Sequence, residues 1–388
     1  MNYNHPNKNS STVSIRLMCA IVFMAYSFTY LFCFQADVMA VAQHVLSNGL
    51  THYNPIVGAV VITLVLQILQ LLVYAFIRLR KRSHALTYFP SLLGLALLTD
   101  VNSDIDRHFN IGTWWVYPLS LVLWALAALF ARIYQEAEPD QEPTSLISRA
   151  MWINMLTMAM QIICMALLSN TNAVFHYRMR AEACMLKGDF SGALLCGRKS
   201  LESDVNLQMI RMYALTRTGE LTNRLFEYPI DGHSDVMLPV EGKSRFAMYP
   251  VDSLYRYLGA RPANQMSSIR YLQLLEARDS IIDRRIVDYQ LCGLLIDKRI
   301  DDFACQLSHY YAHGDSLNID TLPRHYREAM TLYTHLRSHP VLIYQNPVME
   351  EDWNNLQELE RLYVDPTERK GKVEEQYRGT YWYYYEYE

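Results

Sequence analysis

The chain has 388 residues, of which 51% are hydrophobic and 19% charged, and its net charge is −4. That length suits two or three domains, and without a basic excess there is no electrostatic footprint for nucleic acid. The averages conceal a division. Nine of the 35 Lys and Arg, and eight of the 39 Asp and Glu, precede residue 170, so a charge-poor apolar block is followed by a mildly acidic one.

Residues 1–12 form a polar tail, and residues 13–169 read as a transmembrane domain of about five helices. A bilayer is crossed by about 20 apolar residues in a helix. Val13–Phe34, Pro55–Ile77, Trp114–Ala131 and Met151–Leu168 meet that requirement. Ala85–Leu98 carries Pro90 and would span only about 21 Å as an α-helix. Ala40-Val41-Ala42 has the form of a signal-peptidase site, but the apolar run before it is too long for an ordinary signal, so an uncleaved anchor is expected. Leu17-Met18-Cys19 does not make a lipobox.

Arg78-Leu79-Arg80-Lys81-Arg82 follows the second span and reads as cytoplasmic by the positive-inside rule. Gln35–Asn54 has no Lys or Arg and reads as exported. If Ala85–Leu98 crosses, five spans export everything after Leu168; if it does not, four spans keep that part in the cytoplasm. Charge counting leans slightly to four. The polar exit TDVNSDID after the run favours five, so a cytoplasmic N-terminus and an exported C-terminal domain are expected.

Residues 170–364 read as soluble and helical. The clearest stretch, YRMRAEACMLKGDFSGALLCGRKSL (177–201), resembles a tetratricopeptide-type helical hairpin. Tyr177 and Phe190 supply the aromatics, Ala181 and Ala193 allow close helix approach, and Gly188 provides the turn. A weaker copy around Gly219 is cut short by Pro229. DYQLCGLLIDKRIDDFACQL (288–307) is a third candidate, and LPRHYREAMTLYTHL (322–336) a further helix. FEYPIDGHSDVMLPVEGKSRFAMYP (226–250) reads as a long loop. The fold class is therefore all-α: a transmembrane helix bundle followed by a soluble helical-repeat, tetratricopeptide-like domain.

The multi-span N-terminus, DYQLCGLLIDKRIDDF, LPRHYREAMTLY and the aromatic C-terminus together resemble a family of uncharacterised membrane proteins of Bacteroidota. The resemblance extends over nearly the whole chain and implies a bacterial inner-membrane setting, with no chemistry attached. The seven cysteines show no C-x-x-C pair and no zinc spacing. They read as buried thiols, or as a Cys184–Cys196 bridge across the hairpin in an oxidising compartment.

Three groups of residues stand out. His309 and His313 lie four apart, as do His335 and His339, and such pairs on one helix face can hold a metal. The Gly or Pro that comes after each pair suits helix ends instead, where a His interacts with the helix dipole. Asp100, Asn102, Asp104 and Asp106 begin like a calcium loop but lack its Gly and closing Glu. Asp100, Asp104, Asp106 and His108, sharing the exported face with His44 and His52, form the candidate site of a membrane-embedded transferase acting on a lipid-linked substrate. Tyr381, Trp382, Tyr383, Tyr384, Tyr385 and Tyr387, in the tail 365–388, pair apolar rings with polar handles and suit half-buried binding surfaces. Read as a strand, odd and even positions of this tail would face opposite ways.

Packing on its own domain, strand addition to a partner and the bilayer surface are the three places for the tail. No phosphate loop, nucleophile elbow or dinucleotide fingerprint occurs, and no cofactor is expected. The expected role is a scaffold or assembly factor of the cell envelope, in contact with membrane lipid and with another envelope protein or peptide through the helical domain.

Overall fold

The computed structural model describes residues 10–79, 81–102, 114–137, 148–278, 283–313, 316–317, 322–340 and 342–388. Apart from one pair of two-residue strands, its regular structure is helical, and backbone contacts divide the chain into Met1–His176 and Tyr177–Glu388.

The first unit begins with α1 (Ser10–Thr29), which continues through a π-helical turn, Tyr30–Phe34, to α2 (Ala36–Leu46). Helix α3 (Pro55–Ile77) starts where Asn54 accepts the N–H groups of Ile56 and Val57, with Pro55 in the first turn where its missing N–H is harmless. A 3-10 stretch, Lys81–Tyr88, runs directly into α4 (Phe89–Thr99), and α5 (Val116–Ala137) and α6 (Arg149–Ala166) come next. Among the described residues, four helices are by length and composition apolar enough to cross a membrane: Val13–Phe34, Pro55–Ile77, Val116–Tyr134 and Arg149–Ala166. Their outer faces carry exposed Leu64, Ile68, Leu126 and Leu156, while Cys19, Phe23, Ala59, Leu92 and Met158 are buried inside.

Hydrogen bonds fix the helix directions within this unit. At one end the Tyr30 hydroxyl bonds Ser169 Oγ, Gln35 Nε2 donates to the Asn170 carbonyl at 3.3 Å, and the Asn170 N–H donates to the Thr99 carbonyl at 3.2 Å. The C-terminal ends of α1, α4 and α6 therefore meet. At the other end the Ala85 N–H donates to Asn154 Oδ1 at 2.7 Å, and the Arg16 guanidinium lies 4.4 Å over the Tyr74 ring. Thus α1, α4 and α6 run parallel, with α3 antiparallel to them. Helix α5 is also antiparallel: Tyr117 donates to Asp100 at 2.8 Å near its start, and Trp124 reaches back to the Leu86 carbonyl at 2.8 Å.

The short run at 85–98 differs from a simple α-helix. Pro90 sits in the first turn of α4, and the preceding eight residues are wound as a 3-10 helix. A 3-10 residue rises about 2.0 Å and an α residue about 1.5 Å. Lys81–Thr99 therefore covers roughly 32 Å, against roughly 16 Å for α4 alone.

The second unit continues from α7 (Ala173–Leu186) with α8 (Phe190–Leu195), α9 (Val205–Thr218), α10 (Leu221–Arg224), α11 (Val251–Leu258) and α12 (Ser268–Arg278). Then come α13 (Arg284–Ile296), α14 (Ile300–Tyr311), α15 (Arg324–Leu336), α16 (Pro347–Leu362), α17 (Pro366–Tyr377) and α18 (Tyr381–Tyr387). Strands β1 (Ala312–His313) and β2 (Ser316–Leu317) pair antiparallel. Helix α8 packs on α9, and α12 to α16 each pack on the next in sequence. Ala181 and Ala193 are both in the core.

The second helix of the 177–201 stretch ends at Leu195. Gly197 adopts a positive φ of 64° against the Tyr177 ring, where a Cβ would come within 2.6 Å. Residues 226–250 hold only short 3-10 turns, yet Met237 and Leu238 are fully buried. Two carboxylates hold that stretch in place. Glu182 accepts the N–H groups of Ala247, Met248 and Tyr249 at 2.9, 2.6 and 3.0 Å, and Asp297 accepts the Ser234 N–H at 2.9 Å and its hydroxyl at 2.6 Å.

Candidate functional site

The aromatic tail is a helix, not an extended strand. Thr380 Oγ1 caps it by accepting the Tyr383 N–H at 3.2 Å. Lys298 and Lys370 close its other end by donating to the Tyr385 and Tyr387 carbonyls, each at 3.1 Å, where a helix favours cations. Tyr381, Trp382, Tyr383 and Tyr384 are buried; Tyr385 and Tyr387 are half-buried. Helical geometry replaces the expected alternation, so four consecutive rings are buried together.

Their partners belong to the same unit. Phe226 lies 5.2 Å from the Tyr381 ring and 4.8 Å from that of Tyr384, and Trp353 meets Trp382 at 5.4 Å. Trp382 Nε1 donates to the Glu328 carbonyl at 2.7 Å and the Tyr384 hydroxyl to the Ile296 carbonyl at 2.6 Å.

Glu328, on α15, anchors this arrangement. Its carboxylate is buried and accepts from Arg324 Nε at 2.8 Å, His325 Nδ1 at 2.9 Å and the Tyr381 N–H at 2.7 Å. Burial pushes this carboxyl up, but the His325 and Arg324 side chains and the Tyr381 N–H outweigh it. The net displacement is below the ordinary glutamate value. Nothing in the composition of 322–336 marks Glu328 as the tail's anchor; the only hint is a Glu placed among apolar positions.

Of the acidic loop, Asp100 caps the end of α4 and accepts from Tyr117, while Asp104, Asp106 and His108 lie outside the described residues. His44 sits at the end of α2 beside Gly49, and His52 is exposed. A pair that sequence reasoning missed lies at this same end. Buried Asp37 accepts from His176 Nδ1 at 2.9 Å, and His176 Nε2 faces the Asn170 carbonyl at 3.2 Å. Both ring nitrogens face oxygen atoms, a buried carboxylate on one side and a backbone carbonyl on the other. The partners are 139 residues apart, which no local pattern could have joined.

His309 is exposed in the last turn of α14, but that helix stops at Tyr311 and His313 belongs to β1. The two therefore do not share a helix face. His335 is engaged by Glu350 at 2.8 Å and stacked on Trp353, and His339 lies beyond the end of α15. No group of three metal-ligating side chains occurs among the described residues. Cys184 and Cys196 are free thiols, and burial pushes the Cys196 thiol up to about 11.

No curated protein and no solved structure matches the chain. Residues 271–388 match the model of a family of unknown function (DUF6057). That stretch includes DYQLCGLLIDKRIDDF, LPRHYREAMTLY and the whole aromatic tail, and over it the chain is similar to that family.

Proposed function

We propose that this is an integral protein of the bacterial inner membrane whose helical-repeat, tetratricopeptide-like C-terminal domain is exported and serves as a scaffold for another envelope protein or peptide. Two sets of observations support this reading. Helices α8–α9 and α12–α16 stack on sequence neighbours, as in a solenoid, where each repeat contacts the next. In the first unit, α1, α3, the Lys81–Thr99 stretch, α5 and α6 alternate in direction, which supports a reading of five traversals. With Arg78 cytoplasmic, an odd number of traversals exports the chain beyond α6.

The observation that carries the scaffold role is a cation–aromatic surface on α8, α9 and α11. Exposed Arg217 lies 4.2 Å over the half-buried Phe190 ring and 4.8 Å over that of Tyr257, which also receives Arg285 at 4.7 Å. Tyr and Arg are the residue types that dominate binding energy at protein interfaces. In cells, photo-crosslinking from position 256, exposed beside Tyr257 on α11, should capture a discrete partner, and Arg217→Ala with Tyr257→Ala should abolish that adduct while the chain stays folded. An adduct pattern unchanged by the double variant would refute the surface.

The rival reading, a transferase on a lipid-linked substrate, draws on Asp37, Asp100 and His176 at the end read as exported. Asp100→Asn separates the two. It should abolish function in a transferase and leave the scaffold's adduct intact.

A further inference from the structure

The end of the Met1–His176 unit that carries Arg78 holds a groove of about 400 Å³ between α1 and α3, bordered by the 3-10 stretch. Arg16, Gln67, Tyr74 and His84 line it, with Leu17 and Leu71 at its mouth. Arg16 is exposed, stacks on Tyr74, and has no carboxylate partner among the described residues. His84 is buried edge-on against Tyr74 at 5.3 Å and Tyr88 at 5.9 Å. Arg16 is thus the guanidinium of the lining. The Gln67 Oε1 atom is buried with no donor among the described residues. Leu17 and Leu71 are 60% and 50% exposed.

We propose that this groove binds one anionic phospholipid, with its phosphate over Arg16 and an acyl chain along Leu17 and Leu71. The inference rests on the membrane reading above. An arginine one turn inside an apolar span is costly unless it reaches the interface or finds a partner, and a phosphate oxygen pair matches the guanidinium fork. A headgroup hydroxyl would supply the donor that Gln67 Oε1 lacks. A soluble phosphate would leave Leu17 and Leu71 uncovered, and a zwitterionic headgroup would bring a cation beside Arg16.

The test uses the full chain in nanodiscs of equal phosphatidylglycerol and phosphatidylcholine, released and weighed by native mass spectrometry. One retained phosphatidylglycerol is expected on the native chain, lost in Arg16→Gln and kept in Arg78→Gln, whose side chain is exposed outside the groove. Leu71→Trp, which fills the mouth, should also lose the lipid, and circular dichroism checks that each variant is folded. Equal loss in Arg16→Gln and Arg78→Gln would mean diffuse surface attraction and overturn the proposal. So would competition by glycerol phosphate, or no lipid preference in the native chain. Alkaline carbonate extraction distinguishes the two layers of the argument. A chain that stays in the membrane pellet without lipid preference sinks the groove alone, whereas a chain released into solution sinks the membrane reading.

Discussion

At the scale of single residues, buried carboxylates take the place that surface chemistry held in the sequence. Glu328 satisfies three donors on α15 and the tail, so Glu328→Ala leaves Arg324, His325 and the Tyr381 N–H without their acceptor. Removing one member of a buried ion pair costs about 3–5 kcal/mol. Urea unfolding of the full chain in detergent, tracked by Trp fluorescence, measures that loss. Because its folded value lies below the ordinary one, the Glu328 contribution is complete above about pH 4.3 and is lost as pH falls through the folded value. The stability gap between the native chain and Glu328→Gln should therefore be full at pH 7 and should narrow below about pH 4. A gap that widened in acid would contradict this role. Tyr381 predicts the opposite sign. Its buried hydroxyl has no hydrogen-bond partner among the described residues, so Tyr381→Phe should leave the melting temperature unchanged or raise it. A clear drop would reveal a partner.

At the scale of elements, α18 behaves as the last piece of the core. Trp382 is 2% exposed and lies between Trp353 and Tyr377. Trp382→Ala should therefore cost about 3–5 kcal/mol, as large aromatic truncations do, and deleting 380–388 should lower the melting temperature further. Unchanged melting after the deletion would detach the tail from the core. Composition alone made the burial of these rings legible, since apolar area on this scale is not left in water. The helix was not legible, because Tyr and Trp favour strands and the deciding contacts are tertiary: a Thr380 cap, two lysines at the far end and a slot beside Phe226. The same limit applies to Lys81–Thr99. Pro90 and a short apolar run were visible, but a 3-10 lead-in that doubles the length depends on Asn154, 69 residues away from Ala85. The helices around Gly188 and Gly219 were readable because each glycine takes a positive φ at a turn. The second helix of that hairpin stops at Leu195, two residues before Gly197 takes a positive φ against the Tyr177 ring, a tertiary contact with no local signal.

At the scale of the whole molecule, everything proposed about side and partner depends on the parity of the traversals. The directions of α1, α3, Lys81–Thr99, α5 and α6 support five, and the charge pattern alone leaned slightly to four. A scaffold for envelope partners requires the odd number, while the even number would turn Arg217 and Tyr257 toward cytoplasmic partners. The most direct measurement is a paired reporter fused after Glu388, alkaline phosphatase in one strain and a cytoplasm-only fluorescent protein in another. Five traversals predict active phosphatase and a dark fluorescent fusion; bright fluorescence with inactive phosphatase would contradict the account.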